Sequence, residues 1–216
     1  MKQVLSHTDR NQLEKRIAEA ENLTKTQIVL ATVKRCDSYM EIPWKAFAFG
    51  TSVTALAAFL LNILLPVWQS NLVMLYSIVA ILAAGAFIAL LTVKFHGIAR
   101  FFLSRTHAGT ETRQYAESLF LEKELFATGD RTGILLLICQ FERQVVILPD
   151  KGLHDRLSRD AMKNIIALMS QPLARKEMRL AFETGLESLI NILEPSATAA
   201  VVLDELSNKI IERKGV

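Results

Sequence analysis

The chain has 216 residues, room for one sizeable soluble domain and little more, so two independent soluble domains are excluded. A hydrophobic fraction of 51% and a mean hydropathy of +0.27 are high for a soluble protein, and the excess sits in one block, Ala46 to Val93, which contains no Asp, Glu, Lys, Arg or His. The formal net charge of +3 is small and the basic residues flank that block, so no nucleic-acid partner is expected.

In chain order, Ser6 with Asp9 three residues on has the form of a helix start. Leu13, Ile17 and Ala20 then recur at helical spacing, which predicts an amphipathic helix over about 7–23. Lys2, His7, Asp9 and Arg10 interrupt any apolar run at the start, so a signal peptide is not expected. The β-branched run Gln27 to Val33, closed by Lys34 and Arg35, predicts a strand buried on both faces. Such a strand needs partners, and none precedes the apolar block. They must come from beyond it, so the soluble domain is split in sequence and joined in space.

A bilayer core takes about 20 apolar residues of helix, because only a helix satisfies its own backbone there. Two such spans fit, 46–66 and 72–93, broken by Pro66 and the link Gln69-Ser70-Asn71. Trp44 and Trp68 fall at the ends of the first span, where amphipathic rings favour the interface. Ala46, Gly50, Thr54 and Ala58 recur every fourth residue, as do Ala80 and Ala84, and would let two helices approach closely. Lys34, Arg35 and Lys45 precede the hairpin, Lys94, Arg100 and Arg105 follow it, and the link is uncharged. The charge rule then predicts an integral protein of the cell inner or plasma membrane with two spans and both termini cytoplasmic. The aromatic and basic residues from Lys94 to Arg105 suit either an interfacial helix or the frayed end of the second span, with His96 and His107 solvated.

Beyond the hairpin, 110–126 reads as a helix with Tyr115, Ala116, Leu119 and Phe120 inward, ended by Gly129 and Asp130. Ile134 to Cys139 and Gln144 to Leu148 are short apolar runs around a polar turn containing Glu142 and Arg143, which predicts a β-hairpin closed by Pro149 to Gly152. Helices are predicted at about 154–171 (Leu157, Ala161, Ile165 and Leu168 inward), 173–193 (Met178, Phe182, Leu186 and Leu189) and 197–213, separated by Pro172 and Pro195. The expected fold is α/β, a small mixed sheet flanked by helices and interrupted by a two-helix transmembrane hairpin. The expected organisation is 1–44 as the first part of the soluble domain, 45–94 as the hairpin, 95–107 as a juxtamembrane segment, and 108–216 as the second part.

Thr128 to Leu136, Glu142 to Leu148 and Asp150-Lys151-Gly152-Leu153 together resemble the central signature of the TPM domain family. The opening helix and the strand Gln27 to Val33 are similar to that family's first helix and strand. The resemblance spans roughly 1–36 and 108–195. The family includes thylakoid-lumen proteins tied to photosystem repair, receptor modulators and many bacterial membrane proteins. Acid phosphatase activity and divalent metal binding are attributed to some members, so the resemblance implies an acidic pocket at the loop ends of the sheet. Arg131-Thr132-Gly133 stands where many members have Asp-Asn-Gly, so that acidic ligand does not carry over. Many members also lie outside the cytoplasm with their anchor beyond the domain, whereas here the anchor interrupts it.

Two functions follow as expectations. The first is a membrane-tethered module for interaction with, or assembly and quality control of, other membrane proteins, its partners being those proteins and the lipid bilayer. The second is a metal-dependent, acid phosphatase-like hydrolase with calcium or magnesium at Asp130 and Asp150, and Glu142 and Asp155 as weaker candidates. Aspartates in turns also serve local backbone bonding alone. Cys36 and Cys139 have neither metal-ligand spacing nor a CxxC motif and read as two buried thiols. No Walker loop, dinucleotide fingerprint, HExxH or GxSxG is present. Two spans without internal charge do not make a transporter acting alone.

Overall fold

The computed structural model describes residues 5–64, 71–194 and 210–215. It forms two compact units, one from the residues up to Asp37 and from Gly109 onward, the other from Ser38 to Ala108.

The first unit opens with α1 (His7–Thr24) and β1 (Gln27–Val33). Ser6 and Asp9 make the expected reciprocal cap, the Asp9 N–H donating to Ser6 Oγ at 3.1 Å and the Ser6 N–H to Asp9 Oδ2 at 3.3 Å. The unit continues with most of α5 (Arg105–Glu122), β2 (Gly133–Cys139), β3 (Gln144–Pro149), α6 (Arg159–Ala174), α7 (Met178–Leu193) and β4 (Ile211–Arg213). The strands form one mixed sheet in the order β3-β2-β1-β4. β1 runs parallel to β2, with Gln27 opposite Gly133 and Val33 opposite Cys139, and parallel to β4; β2 and β3 are an antiparallel hairpin.

Side-chain alternation divides the core between the two faces of the sheet. On one face Ile28, Leu30, Ile134, Leu136 and Ile138 pack with α1, α6 and α7; on the other Val29, Ala31, Val33, Leu135, Leu137 and Cys139 pack with Ala116, Leu119 and Phe120 of α5. Covered on both faces, β1 and β2 are buried at every position. Parallel neighbours need a crossover, and α5 supplies it. Everything between β1 and α5, the apolar block included, is therefore an insertion in the first loop of a βαβ unit, and the soluble core is continuous across it.

The second unit contains α2 (Glu41–Leu64), α3 (Asn71–Lys94) and the short α4 (His96–Phe101). At 24 residues each, α2 and α3 are about 36 Å long, enough to cross a bilayer core. Pro66, Trp68, Gln69 and Ser70, on which the expected turn rests, lie outside the described residues. Ile42, Ala46 and Gly50 are the buried positions of α2, and Gly50 meets α3 at Gly85. A Cβ on Gly85 would lie 2.5 Å from Thr51 Cγ2 and 3.0 Å from the Phe47 ring, so a larger residue there has to push the helices apart. The close approach thus uses Gly85, one residue beyond the expected Ala84, while Ala80 is exposed. His107, expected to be solvated, places Nδ1 3.0 Å from Glu41 Oε1 and packs edge-on against Tyr39.

Several boundaries differ from expectation. α5 stops at Glu122 rather than near 126, where Glu124 takes a left-handed φ of 52°. α6 starts at Arg159, capped by Ser158, and carries Pro172 in its last turn instead of ending before it. Pro172 gives up its N–H bond and crowds the carbonyl one turn back, but the helix runs on to Ala174 and Lys176 at φ 64° makes the break. The buried face of α6 runs through Ile165, Met169 and Pro172, leaving Leu168 55% exposed rather than inward. The helix expected over 197–213 is contradicted at its end, because Ile211–Arg213 is a strand beside β1. Its remainder up to 209 lies outside the described residues.

Candidate functional site

Two clusters of polar and ionisable side chains mark the ends of β2. At its start, the loop from Thr128 to Thr132 and the turn Asp150 to Leu153 lie against one another. Thr128 Oγ1 accepts from the Thr132 N–H at 3.0 Å, and the Gly152 N–H donates to the Arg131 carbonyl at 3.0 Å. A Cβ on Gly152 would stand 2.3 Å from the Asp130 carbonyl oxygen, so the approach of the two loops requires glycine.

The loops bring Asp130 and Asp150 to the same end of the sheet, in different states. Asp130 is exposed. Asp150 is buried; it accepts from Arg131 Nε at 2.7 Å and Arg131 Nη2 at 3.0 Å, and its Oδ1 also caps the following turn by accepting from the Lys151 N–H at 2.7 Å. Burial pushes the Asp150 carboxyl up, but the Arg131 fork and the Lys151 N–H outweigh it and hold the group below its ordinary value. This paired acid does not fit a hard divalent cation as it stands. Calcium and magnesium gather several free oxygens, and here a guanidinium already holds both oxygens of one of the two carboxylates. The arginine that departs from the family pattern is the group that neutralises Asp150.

The other cluster was not singled out in the sequence as a site. β1 and β2 end side by side, and the chain just beyond each carries Cys36 and Glu142, with Cys139 as the last residue of β2. The Cys36 thiol donates to Cys139 Sγ at 2.7 Å, and Glu142 Oε1 accepts from the Cys36 N–H at 2.9 Å. Cys36 is 5%, Cys139 0% and Glu142 8% exposed. One ligand atom from each lies within 4.8 Å of the others, and Glu142 Oε2 is buried with no hydrogen-bond partner among the described residues. The Cys36 thiol is pushed far up by its bond to Cys139 and by burial, with Glu142 adding to the shift. Tyr115 of α5 is pushed up by burial against the opposing pull of Arg213. Residue 36 lies over a hundred positions from 139 and 142, across the insertion, which is why spacing alone does not reveal the cluster. The parallel register of Val33 with Cys139 is the missing step.

The family profile described as TPM domain matches residues 96–192, which takes in the Thr128 to Leu153 region and both cluster members on β2 and its turn. Over that stretch the chain is similar to a TPM domain. The matched stretch leaves out α1 and β1, of which β1 pairs with β2 in the same sheet. Among solved structures, the BA42 protein of the psychrophilic bacterium Bizionia argentinensis, determined by NMR, is similar at a TM-score of 0.58 and 14% identity, over 98% of this chain and 97% of that one. At that identity the likeness is one of fold. None of the curated proteins compared matches the chain.

Proposed function

We propose that this chain is a membrane-anchored TPM domain that acts as an interaction module for other membrane proteins, in their assembly or quality control. The observation that carries the reading is the surface of α2 and α3. Leu56, Phe59, Ile63, Leu75, Val79 and Leu82 are all exposed on helices with no Asp, Glu, Lys, Arg or His between Ala46 and Val93. In water such a surface exceeds the apolar patches that monomeric proteins tolerate, whereas lipid covers it and the helices satisfy their own backbone. The basic flanks favour both termini in the cytoplasm. The loop between β1 and α5 can carry the anchor because the β1–β2 pairing closes without it.

Retention in the membrane pellet after alkaline carbonate extraction tests the anchor, and release into the supernatant would overturn it. Cysteines introduced by S70C and S158C, in a chain lacking Cys36 and Cys139, test the orientation. An impermeant maleimide should label intact cells at position 70 only. Migration in mild detergent as assemblies larger than the chain with its lipid and detergent supports the interaction role, and migration alone would count against it. The alternative, a metal-dependent phosphatase acting through Asp130 and Asp150, needs Asp150 released from Arg131. Hydrolysis of a phosphate monoester in millimolar calcium or magnesium, lost in D130N, is the result that would favour it.

A further inference from the structure

We propose that Cys36, Cys139 and Glu142 form a binding site for a thiophilic divalent cation of the zinc class, at the end of β1 and β2 remote from Asp150. The geometry is convergent: two sulfurs and a carboxylate oxygen meet within 4.8 Å, all from buried residues. A second observation points to a ligand independently. Glu142 Oε2 is buried without a partner among the described residues, although its twin oxygen is held by the Cys36 N–H. A carboxylate taken out of water is costly unless a cation or donor meets it, and here the neighbouring groups are two thiols.

Donor chemistry sets the class of ion. Thiolates select zinc and its soft relatives over calcium and magnesium, which prefer several oxygens. Three protein ligands leave the fourth corner of a tetrahedron for water or another ligand. Metal–sulfur bonds of about 2.3 Å in a tetrahedral site put two thiolates roughly 3.8 Å apart. The sulfurs, now 2.7 Å apart and sharing a proton, therefore open by roughly 1 Å when the ion enters. Both thiol protons leave to solvent and the ion takes their place, so two thiolates and one carboxylate share a double positive charge. Uptake consequently rises with pH.

The test is a cadmium titration of the full chain, purified in detergent and held reduced by a phosphine. Thiolate-to-metal absorption in the ultraviolet should saturate at one ion per chain, and native mass spectrometry should count the same ion. C36S and C139S should abolish the band. E142Q keeps both thiols and the closed core, so it carries the test independently of any folding loss in the cysteine variants. It should weaken binding by at least about tenfold, the scale on which even supporting partners of a ligand act. Excess magnesium should not compete. A reduced chain that takes up no cadmium, a band that survives in C139S, or unchanged affinity in E142Q would each overturn the site. So would a chain isolated two mass units light that, once reduced, still binds no ion; the pair would then be a disulfide.

Discussion

The two ends of β2 handle a buried acid in opposite ways. At the start of the strand Asp150 is buried with its countercharge, both oxygens held by Arg131 and one also capping a turn. At the other end, roughly 20 Å away by strand length, Glu142 is also buried, yet among the described residues only one oxygen has a partner and the neighbours are thiols. A compensated acid is a structural part, because its protein partners complete it. An uncompensated one is completed by something the chain does not supply. The contrast also reverses the expectation drawn from turn aspartates, since the acid expected to attract a cation is the one already satisfied.

The strand that joins the two ends sets the scale for breaking either. Leu136, fully buried at the middle of β2 against the α1–α6–α7 face, should lose about 2–5 kcal/mol on truncation in L136A. Denaturant unfolding of the detergent-solubilised chain, followed by Trp-independent far-ultraviolet dichroism, measures it. A smaller loss would mean that the sheet is not the stabilising centre that spans the insertion.

Next in size is the compensated end. D150A removes the partner of Arg131 and leaves the Lys151 N–H uncapped, and should cost about 1–3 kcal/mol. Its pH dependence has a definite sign. The folded-state value of Asp150 is depressed, so its contribution is present above the unfolded carboxylate value of about 3.9 and is lost as pH falls through the folded value. Wild type should therefore lose stability on acidification below about pH 5, and D150N should show a flatter profile over that window. Parallel profiles would mean that the Arg131 pair contributes nothing to folding.

Much of the fold was legible because it rests on local signals. The Ser6–Asp9 cap, the unbroken apolar run of β1, the hairpin of β2 and β3, and two apolar helices each declare themselves within a few residues. The need for β1 to find partners beyond the apolar block was also legible, as a matter of burial. What spacing could not give was register. Cys36, Cys139 and Glu142 converge only because Val33 stands opposite Cys139, and nothing in the separate segments fixes that pairing. The strand at Ile211 was missed for a related reason, since three residues pair with β1 where helical spacing suggested continuation. Asp150 was found, but its neutralising partner was hidden in what read only as a departure from the family pattern at Arg131.

The smallest expected effect is the most discriminating. In metal-free protein E142Q keeps an acceptor for the Cys36 N–H and removes a buried carboxylate whose second oxygen has no partner among the described residues, so stability should change by less than about 1 kcal/mol and toward the more stable side. The same substitution at the other end, D150N, breaks an ion pair and should destabilise. Opposite signs for two acid-to-amide changes, one near each end of β2, are the signature of one completed and one uncompleted acid. With saturating cadmium the order at Glu142 should reverse, because ligand binding stabilises the folded chain and wild type gains more from it than E142Q. Thermal unfolding of the four preparations, each protein with and without the ion, measures the crossing directly. A wild type more stable than E142Q even without metal would show that Glu142, like Asp150, is already satisfied by the protein alone.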